Sequence, residues 1–138
     1  MSKELFGFRI NKNIYVDIEN NTLINAGKIF SVRNGATLIL KDTMFRLFVY
    51  LLNNSNAEVI LNSAILRDVW DLYGLSSSNQ RLWQVMNALK YKLSSVGLPD
   101  DFIVKINSKG YSVRRELITP LYTERKEDEI VNNACIML

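Results

Sequence analysis

The spacing of hydrophobic residues changes near residue 42. Upstream of it, Ile14, Val16 and Ile18 occupy every second position, and a period of two predicts a β-strand. Three more short apolar segments follow, separated by turns rich in Asn and Gly, at residues 23–24, 29–32 and 36–40. The first forty residues therefore predict an antiparallel meander of four short strands.

From residue 42 onward, hydrophobic residues recur every three or four positions, which predicts helices. The first predicted helix spans 42–52 with Asp42 as its N-cap. The second begins with Asn62 as its N-cap and ends near Gly74. We expect Trp70, at the end of this second helix, to lie in the core. The apolar stripe of the second helix consists of Ile65, Leu66, Val69 and Leu72.

A third and longer helix is predicted over residues 78–96. Ser77 and Gln80 have the spacing of a capping box at its start. We expect Trp83 to pack against the core, because it borders the buried stripe and large aromatic side chains dominate core energetics. The predicted buried stripe consists of Leu82, Val85, Met86, Leu89 and Leu93.

The other face of the third helix carries no acidic residue between Arg81 and Lys92. A solvated helix face normally mixes both signs of charge, so this face indicates a negatively charged partner. Residues 81–115 contain seven basic and two acidic residues, whereas the whole chain has a net charge of only +3. The basic charge is therefore concentrated in one stretch of the chain.

A β-hairpin is predicted after the third helix, with strands at 102–106 and 111–113 and Lys109 at the turn. The pattern weakens beyond Arg115. We therefore expect one domain over residues 1–115 and a tail or linker over residues 116–138.

The composition excludes several classes of function. The 138 residues include no His and one Cys, so Ser-His-Asp and Cys-His nucleophiles and the usual zinc sites cannot form. The spacing of the six Gly residues fits neither a P-loop nor a dinucleotide-binding turn. We expect no enzyme activity, no metal and no cofactor, with a carboxylate- or Lys-based enzyme as a distant alternative.

The same composition bears on location. The longest apolar run, 47–52, is too short for a membrane helix, which needs about 20 residues, so we expect no membrane segment in this chain. The single Cys135 can form no internal disulfide. A lone cysteine favours a reducing compartment, and we expect the protein to be cytoplasmic.

The order of elements and several motifs over residues 8–113 resemble the OmpR/ToxR-type winged helix-turn-helix family. The run LKDTMFRLFVYLL at 40–52 resembles the first helix of the family, and Val59 with Val69-Trp70 resembles the second. Residues 79–93, ending in NALKYKL, resemble the recognition helix, and Lys109-Gly110-Tyr111 resembles the wing. The resemblance implies an α+β fold with an N-terminal four-stranded antiparallel sheet, three helices and a C-terminal β-hairpin wing.

By this resemblance, the chain is expected to bind double-stranded DNA sequence-specifically as a bacterial transcription regulator. The third helix would enter the major groove, and the wing would lie on the minor groove and backbone. The expected contacts from the recognition helix are Gln80, Arg81, Gln84, Asn87, Ala88, Lys90 and Tyr91. Those expected from the wing and for the backbone are Lys92, Lys105, Ser108, Lys109, Tyr111 and Arg114.

The resemblance also implies that the loop at 71–76 faces RNA polymerase, through Asp71, Tyr73 and Leu75. The side chains of Tyr73 and Leu75 fit a partner surface and the core equally well. A homodimer or tandem protomers on DNA are expected, because one recognition helix reads few base pairs. The few residues before the first predicted strand leave no room for a receiver domain, which favours the ToxR-like group and the cytoplasmic part of a membrane-tethered parent.

Two departures from the family pattern support an alternative. Asn87 and Ala88 stand where many members have basic residues, and Ser112 stands where many have a basic residue after Gly-Tyr. The alternative is a winged-helix protein-interaction module that modulates another regulator without binding DNA.

Overall fold

The computed structural model describes residues 3–28 and 37–124. The strands are β1 (Lys3–Ile10), β2 (Ile14–Asp17), β3 (Thr22–Asn25), β4 (Thr37–Ile39), β5 (Ile60–Leu61), β6 (Ile103–Ile106), β7 (Gly110–Val113) and β8 (Ile118–Glu124). The helices are α1 (Asp42–Asn53), α2 (Asn62–Ile65) and α3 (Asn79–Ser95). After α2, the chain continues as a π-helical turn, Leu66–Trp70, and a 3₁₀ turn, Asp71–Tyr73. The predicted strand at 29–32 lies outside the described residues.

Two antiparallel sheets flank the helices. The larger sheet has the order β4-β3-β2-β1-β8, and the smaller has the order β5-β7-β6. In the larger sheet, Phe8 of β1 lies opposite Val16 of β2, and both side chains are buried. Alternate residues of the strands therefore cover one side of the core, as a period of two requires.

The helices supply the other part of the core. Trp70 is 2% exposed, which confirms its predicted burial. The stripe predicted on the third helix is also confirmed: Val85 is partly buried, and the fully buried members are Leu82, Met86, Leu89 and Leu93. Buried residues of α1 pack into the same cluster: Phe45, Leu47, Phe48, Leu51 and Leu52. The predicted α+β fold with three helices and a C-terminal hairpin is confirmed.

The larger sheet differs from the prediction at its far edge. Among the described residues it has five strands: β2, β3 and β4 correspond to three of the four predicted strands, and β1 and β8, which were not predicted, pair with each other. Part of the stretch expected as a tail after residue 115 therefore lies in the sheet. Pro120 interrupts the strand pattern of β8, and its ring nitrogen cannot donate a hydrogen bond. An edge strand tolerates this loss because one of its sides has no partner strand.

The helix starts also differ from the prediction. Lys41 and Leu61 are the N-caps of α1 and α2, and neither side chain makes a capping hydrogen bond. Asp42 instead accepts a hydrogen bond from the amide of Asn21 at 2.9 Å, so this carboxylate ties α1 to the turn between β2 and β3. The side-chain amide of Asn62 donates a hydrogen bond to the carbonyl oxygen of Ser108, in the turn between β6 and β7.

The end of the second helical segment explains another difference. Leu72 was predicted in the apolar stripe but is 71% exposed. The change from π-helical to 3₁₀ geometry after Trp70 turns this side chain away from the core. Gly74 then ends the segment with a φ of 70°, a left-handed conformation that glycine adopts without strain.

A buried polar contact joins the larger sheet to the end of α3. Asn25 is 7% exposed, and its Nδ2 donates a hydrogen bond to the carbonyl oxygen of Val96 at 2.6 Å. Its Oδ1 accepts one from the backbone N–H of Gly27 at 3.0 Å. Val96 is the C-cap of α3, where carbonyl groups lack helical partners. Asn25 therefore fixes the C-terminal end of α3 against β3.

We predict that Asn25→Ala lowers the free energy of unfolding by about 1–3 kcal/mol, since it leaves a buried carbonyl without a partner. Urea denaturation followed by circular dichroism measures this change. The control is Asn20→Ala, because Asn20 is exposed and bonds only locally to Asp17. Equal stability of the two variants would contradict the structural role of Asn25.

Candidate nucleic-acid interface

The start of α3 is held by a serine, one residue later than predicted. Ser78 is the N-cap, and its Oγ accepts a hydrogen bond from the backbone N–H of Arg81 at 3.0 Å. Ser77 instead donates a hydrogen bond from its hydroxyl to Asp71 at 2.7 Å. The expected capping box of Ser77 and Gln80 is therefore wrong, and the side chain of Gln80 is exposed.

The outward face of α3 carries most of the side chains expected to contact DNA. Lys90 and Lys92 are half-buried at its flanks. The exposed members are Gln80, Arg81, Gln84, Asn87, Ala88 and Tyr91. The described part of this face contains no acidic residue. The structure therefore places the seven expected helix residues on one surface.

Trp83 is not packed in the core, contrary to the prediction. Its side chain is 53% exposed. At 3.6 residues per turn, position 83 lies about 90° from the centre of the buried stripe, beyond the reach of the core. Trp83 is therefore a candidate functional residue. Its angular distance from the buried stripe is the sequence signal that could have indicated its exposure.

The wing is the hairpin of β6 and β7. Asn107 has a φ of 50° at the turn, a left-handed conformation that Asn tolerates better than most residues. Lys105, Ser108 and Lys109 are exposed, as expected for residues that contact DNA. Tyr111 is only 5% exposed, and burial raises the pKa of its hydroxyl. Tyr111 therefore belongs to the core, although it also lines the groove beside the wing, and its expected contact with DNA stays a prediction.

The start of α2 holds the wing in place. The backbone N–H of Asn62 donates to the carbonyl oxygen of Lys109 at 3.0 Å, and its Nδ2 donates to that of Ser108 at 3.2 Å. Strand β5, which was not predicted, pairs with β7 directly beside these contacts. A Cβ at Gly110 would overlap with the carbonyl oxygen of Ile60. The close approach of the two strands therefore requires glycine at position 110.

A groove of about 760 Å³ separates the start of α3 from the wing. Lys105 and Lys109 lie on the wing side, and Trp83 lies on the helix side. Leu61, which is 52% exposed, also lines it. None of the described residues that line this groove is acidic. The groove therefore combines positive charge with exposed apolar surface.

The cations of this surface differ in how they are paired. Within residues 3–28 and 37–124, the ion pairs involve Arg67 and Arg114 among the basic residues. Arg114 contacts Asp101 at 3.2 Å and Glu116 at 2.8 Å, and its hydrogen bond lowers the pKa of the Glu116 carboxyl. The following basic residues make no ion pair with a described residue: Arg81, Lys90, Lys92, Lys105 and Lys109. They are therefore better placed than Arg114 to bind phosphates.

The loop between α2 and α3 presents apolar side chains to solvent. Tyr73 is 57% exposed and Leu75 is 41% exposed, so neither is tucked into the core. The guanidinium of Arg46 lies 3.5 Å from the centroid of the Tyr73 ring and donates to the carbonyl oxygen of Val69 at 3.2 Å. Asp71 is tied to Ser77, as described above. Contacts with α1 thus attach this loop to the helical core.

A second contact attaches the same segment to α1. The hydroxyl of Tyr50 donates a hydrogen bond to Asp68 at 2.7 Å, and Arg67 pairs with this carboxylate at 2.8 Å. Burial, and then the hydrogen bond to Asp68, raise the pKa of Tyr50 from 10.0 to about 12. The hydrogen bonds from Arg67 and Tyr50 lower the pKa of Asp68.

Over 3–28 and 37–124, no group of three or more His, Cys, Asp or Glu side chains is arranged to hold a metal ion. In those ranges, no helix has the length and apolar character needed to cross a bilayer.

Comparison with known proteins gives a structural likeness only. No protein-family model matches the chain, and no curated protein matches it in sequence. The DNA-binding domain of E. coli CadC superposes with a TM-score of 0.65 at 18% identity, covering 87% of this chain and 100% of that domain. The C-terminal domain of the nisin resistance regulator NsrR, a lantibiotic response regulator, superposes with a TM-score of 0.52 at 17% identity, covering 80% and 94%. Both are OmpR/ToxR-type winged-helix domains, and this chain has their fold.

We predict that Tyr50→Phe makes stability less dependent on alkaline pH. Because the pKa of Tyr50 is higher in the folded chain than its ordinary value, its protonated hydroxyl stabilises the fold below pH 10, and this contribution is lost as the pH rises toward 12. Urea denaturation at pH 8, 9, 10 and 11 should show a smaller loss of unfolding free energy for the variant than for the wild type.

The control for this experiment is Tyr15→Phe. The hydroxyl of Tyr15, on the exposed side of β2, makes no hydrogen bond to another described residue, so this variant should follow the wild-type profile. Superimposable profiles for Tyr50→Phe and the wild type would show that the Tyr50–Asp68 contact does not hold the segment to α1.

Proposed function

We propose that this chain is a transcription regulator that binds double-stranded DNA sequence-specifically, with α3 in the major groove and the wing on the minor groove and backbone. The observation that carries the proposal is the surface formed by the outward face of α3 and the wing. This surface joins exposed amide, Arg and Lys side chains from elements distant in the chain, and its helical part lacks acidic residues. Both structural neighbours are named as a DNA-binding domain or a response regulator.

The types of side chain fit the roles that DNA recognition requires. An α-helix fits the major groove, where each base pair presents a distinct pattern of donors and acceptors. Arg81 suits a guanine edge, and the amides of Gln84 and Asn87 suit an adenine edge. Lys90, Lys92, Lys105 and Lys109 have no ion-pair partner among the described residues and suit phosphates. Ala88 offers a methyl group that fits beside a thymine methyl.

The loop after α2 has a separate role in this proposal. Its exposed Tyr73 and Leu75 form the surface that meets RNA polymerase, with Asp71 holding the loop to Ser77. Protomers bind in pairs or in tandem, because a single recognition helix reads only a few base pairs. The protein acts in the cytoplasm, where the bacterial chromosome is located.

We predict that Arg81→Ala weakens specific DNA binding by about 1–3 kcal/mol. The duplex is one that the wild-type chain selects from a random pool, and a scrambled version of it is the reference. Fluorescence anisotropy should show that the wild type prefers the selected duplex by ~10³ or more. Arg9→Ala is the matched control, because Arg9 is exposed on the larger sheet, between two residues whose side chains point into the core.

The result that would contradict the proposal is the absence of binding to any duplex at 50 mM salt. This result would favour the alternative of a protein-interaction module. Equal losses for Arg81→Ala and Arg9→Ala would instead show that the affinity arises from net charge rather than from α3.

We predict that Lys109→Ala lowers the salt dependence of DNA binding more than Arg114→Ala does. A phosphate contact contributes about 0.9 to the log-log salt slope, so loss of the wing contact should reduce the slope by this amount. Arg114 already pairs with two carboxylates, and its removal should change the slope by much less. Anisotropy titrations from 50 to 300 mM salt measure both slopes. An unchanged slope for Lys109→Ala would show that the wing tip does not lie on the backbone.

A further inference from the structure

Trp83 leaves a large aromatic side chain exposed to solvent. The chain has two tryptophans. Trp70 is 2% exposed, whereas Trp83, in the second turn of α3, is 53% exposed. Because leaving a large apolar side chain in water forgoes the free energy of its burial, an indole exposed beside a cationic groove points to a ligand that covers it.

The neighbours of Trp83 on α3 indicate which part of a DNA ligand it meets. Residues three and four positions apart lie side by side on a helix surface, so Gln80 and Asn87 flank Trp83 in one row. These two residues are exposed amides, which suit base edges, and the N-terminal half of a recognition helix is the part that contacts bases. The row therefore places an apolar side chain between two amide side chains that can form hydrogen bonds to bases.

The chemistry of the indole limits what it recognises in that row. It has one N–H donor, which makes no hydrogen bond to another described residue, and otherwise presents apolar surface. Among the base edges in the major groove, only thymine carries an apolar group, its C5-methyl. Lys105 and Lys109 lie across the groove, on the wing side, and their ammonium groups suit phosphates better than the indole does.

We propose that Trp83 is a specificity-determining residue whose indole packs on the C5-methyl group of a thymine in the major groove. This inference rests on the proposed function of DNA binding and adds a base preference to it. With the flanking amides suited to adenine, it assigns the row Gln80, Trp83 and Asn87 to a site rich in A·T pairs.

The test replaces each thymine of the selected duplex, one at a time, with deoxyuridine. Burial of one methyl group is worth a factor of about four in affinity, so one replacement should weaken wild-type binding about fourfold. In Trp83→Ala, this particular replacement should have no effect, while other positions keep their wild-type sensitivity. The control is Leu72→Ala, which removes another exposed apolar side chain, one that does not line the groove, and should keep the full wild-type profile.

Acrylamide quenching of tryptophan fluorescence provides a readout that does not depend on affinity. Trp70 is buried, so quenching of the free protein reports mainly on Trp83. Saturation with the selected duplex should lower the quenching constant to the level of Trp83→Phe, in which only the buried indole remains. Circular dichroism and thermal melting verify that the variants are folded.

The possible failures are distinguishable. If no duplex is selected from the pool, the proposed function and this inference are both overturned. If the selected duplex binds tightly but no deoxyuridine position distinguishes the wild type from Trp83→Ala, only the thymine contact is overturned. Unchanged quenching in the presence of saturating duplex would likewise overturn the contact and leave DNA binding intact.

Discussion

The candidate interface depends on the close contact between β5 and β7. Gly110 brings the wing against the carbonyl oxygen of Ile60, and any side chain at this position would push the two strands apart. The hydrogen bonds from Asn62 to the turn of the wing then fix the hairpin tip against the start of α2. Because α2 also leads into α3, one junction sets the distance between the wing lysines and the helix.

The position of α3 is determined at both ends and along one side. Ser78 caps its first turn, and Asn25 binds a carbonyl group at its C-terminal end. Between them, the buried stripe seats the helix in the core. These contacts leave the opposite face free, and the absence of acidic side chains on it allows the basic residues to attract a polyanion without internal neutralisation. The rigid scaffold thus holds a row of polar and aromatic side chains in a defined order.

The loop before α3 is ordered by contacts with a different element. Arg46 stacks on Tyr73, and Tyr50 bonds to Asp68, so α1 holds the segment from one side. Ordering a loop costs conformational entropy, and these contacts with α1 offset that cost. The surface that presents Tyr73 and Leu75 is distinct from the candidate nucleic-acid interface, although both are anchored to the same core.

The sequence by itself determined the three helices, the two faces of α3, the burial of Trp70 and the C-terminal hairpin. Each of these depends on the spacing of residues close together in the chain, and local periodicity records that spacing. The exposed face of α3, which carries the residues expected to contact DNA, could also be identified in this way, because the helical period separates it from the core stripe.

Only the tertiary structure decided the strand partners and the use of individual side chains. Strands β1, β5 and β8 pair with segments far away in the chain. The alternation of apolar and polar residues within each of them is too short or too irregular to predict a strand. Asp42 and Asn62 are not the helix caps that the sequence predicts, because folding brings their side chains to Asn21 and to the carbonyl oxygen of Ser108. Burial of Tyr111 was likewise decided by packing, since the environment of a side chain is set by the elements that surround it in three dimensions.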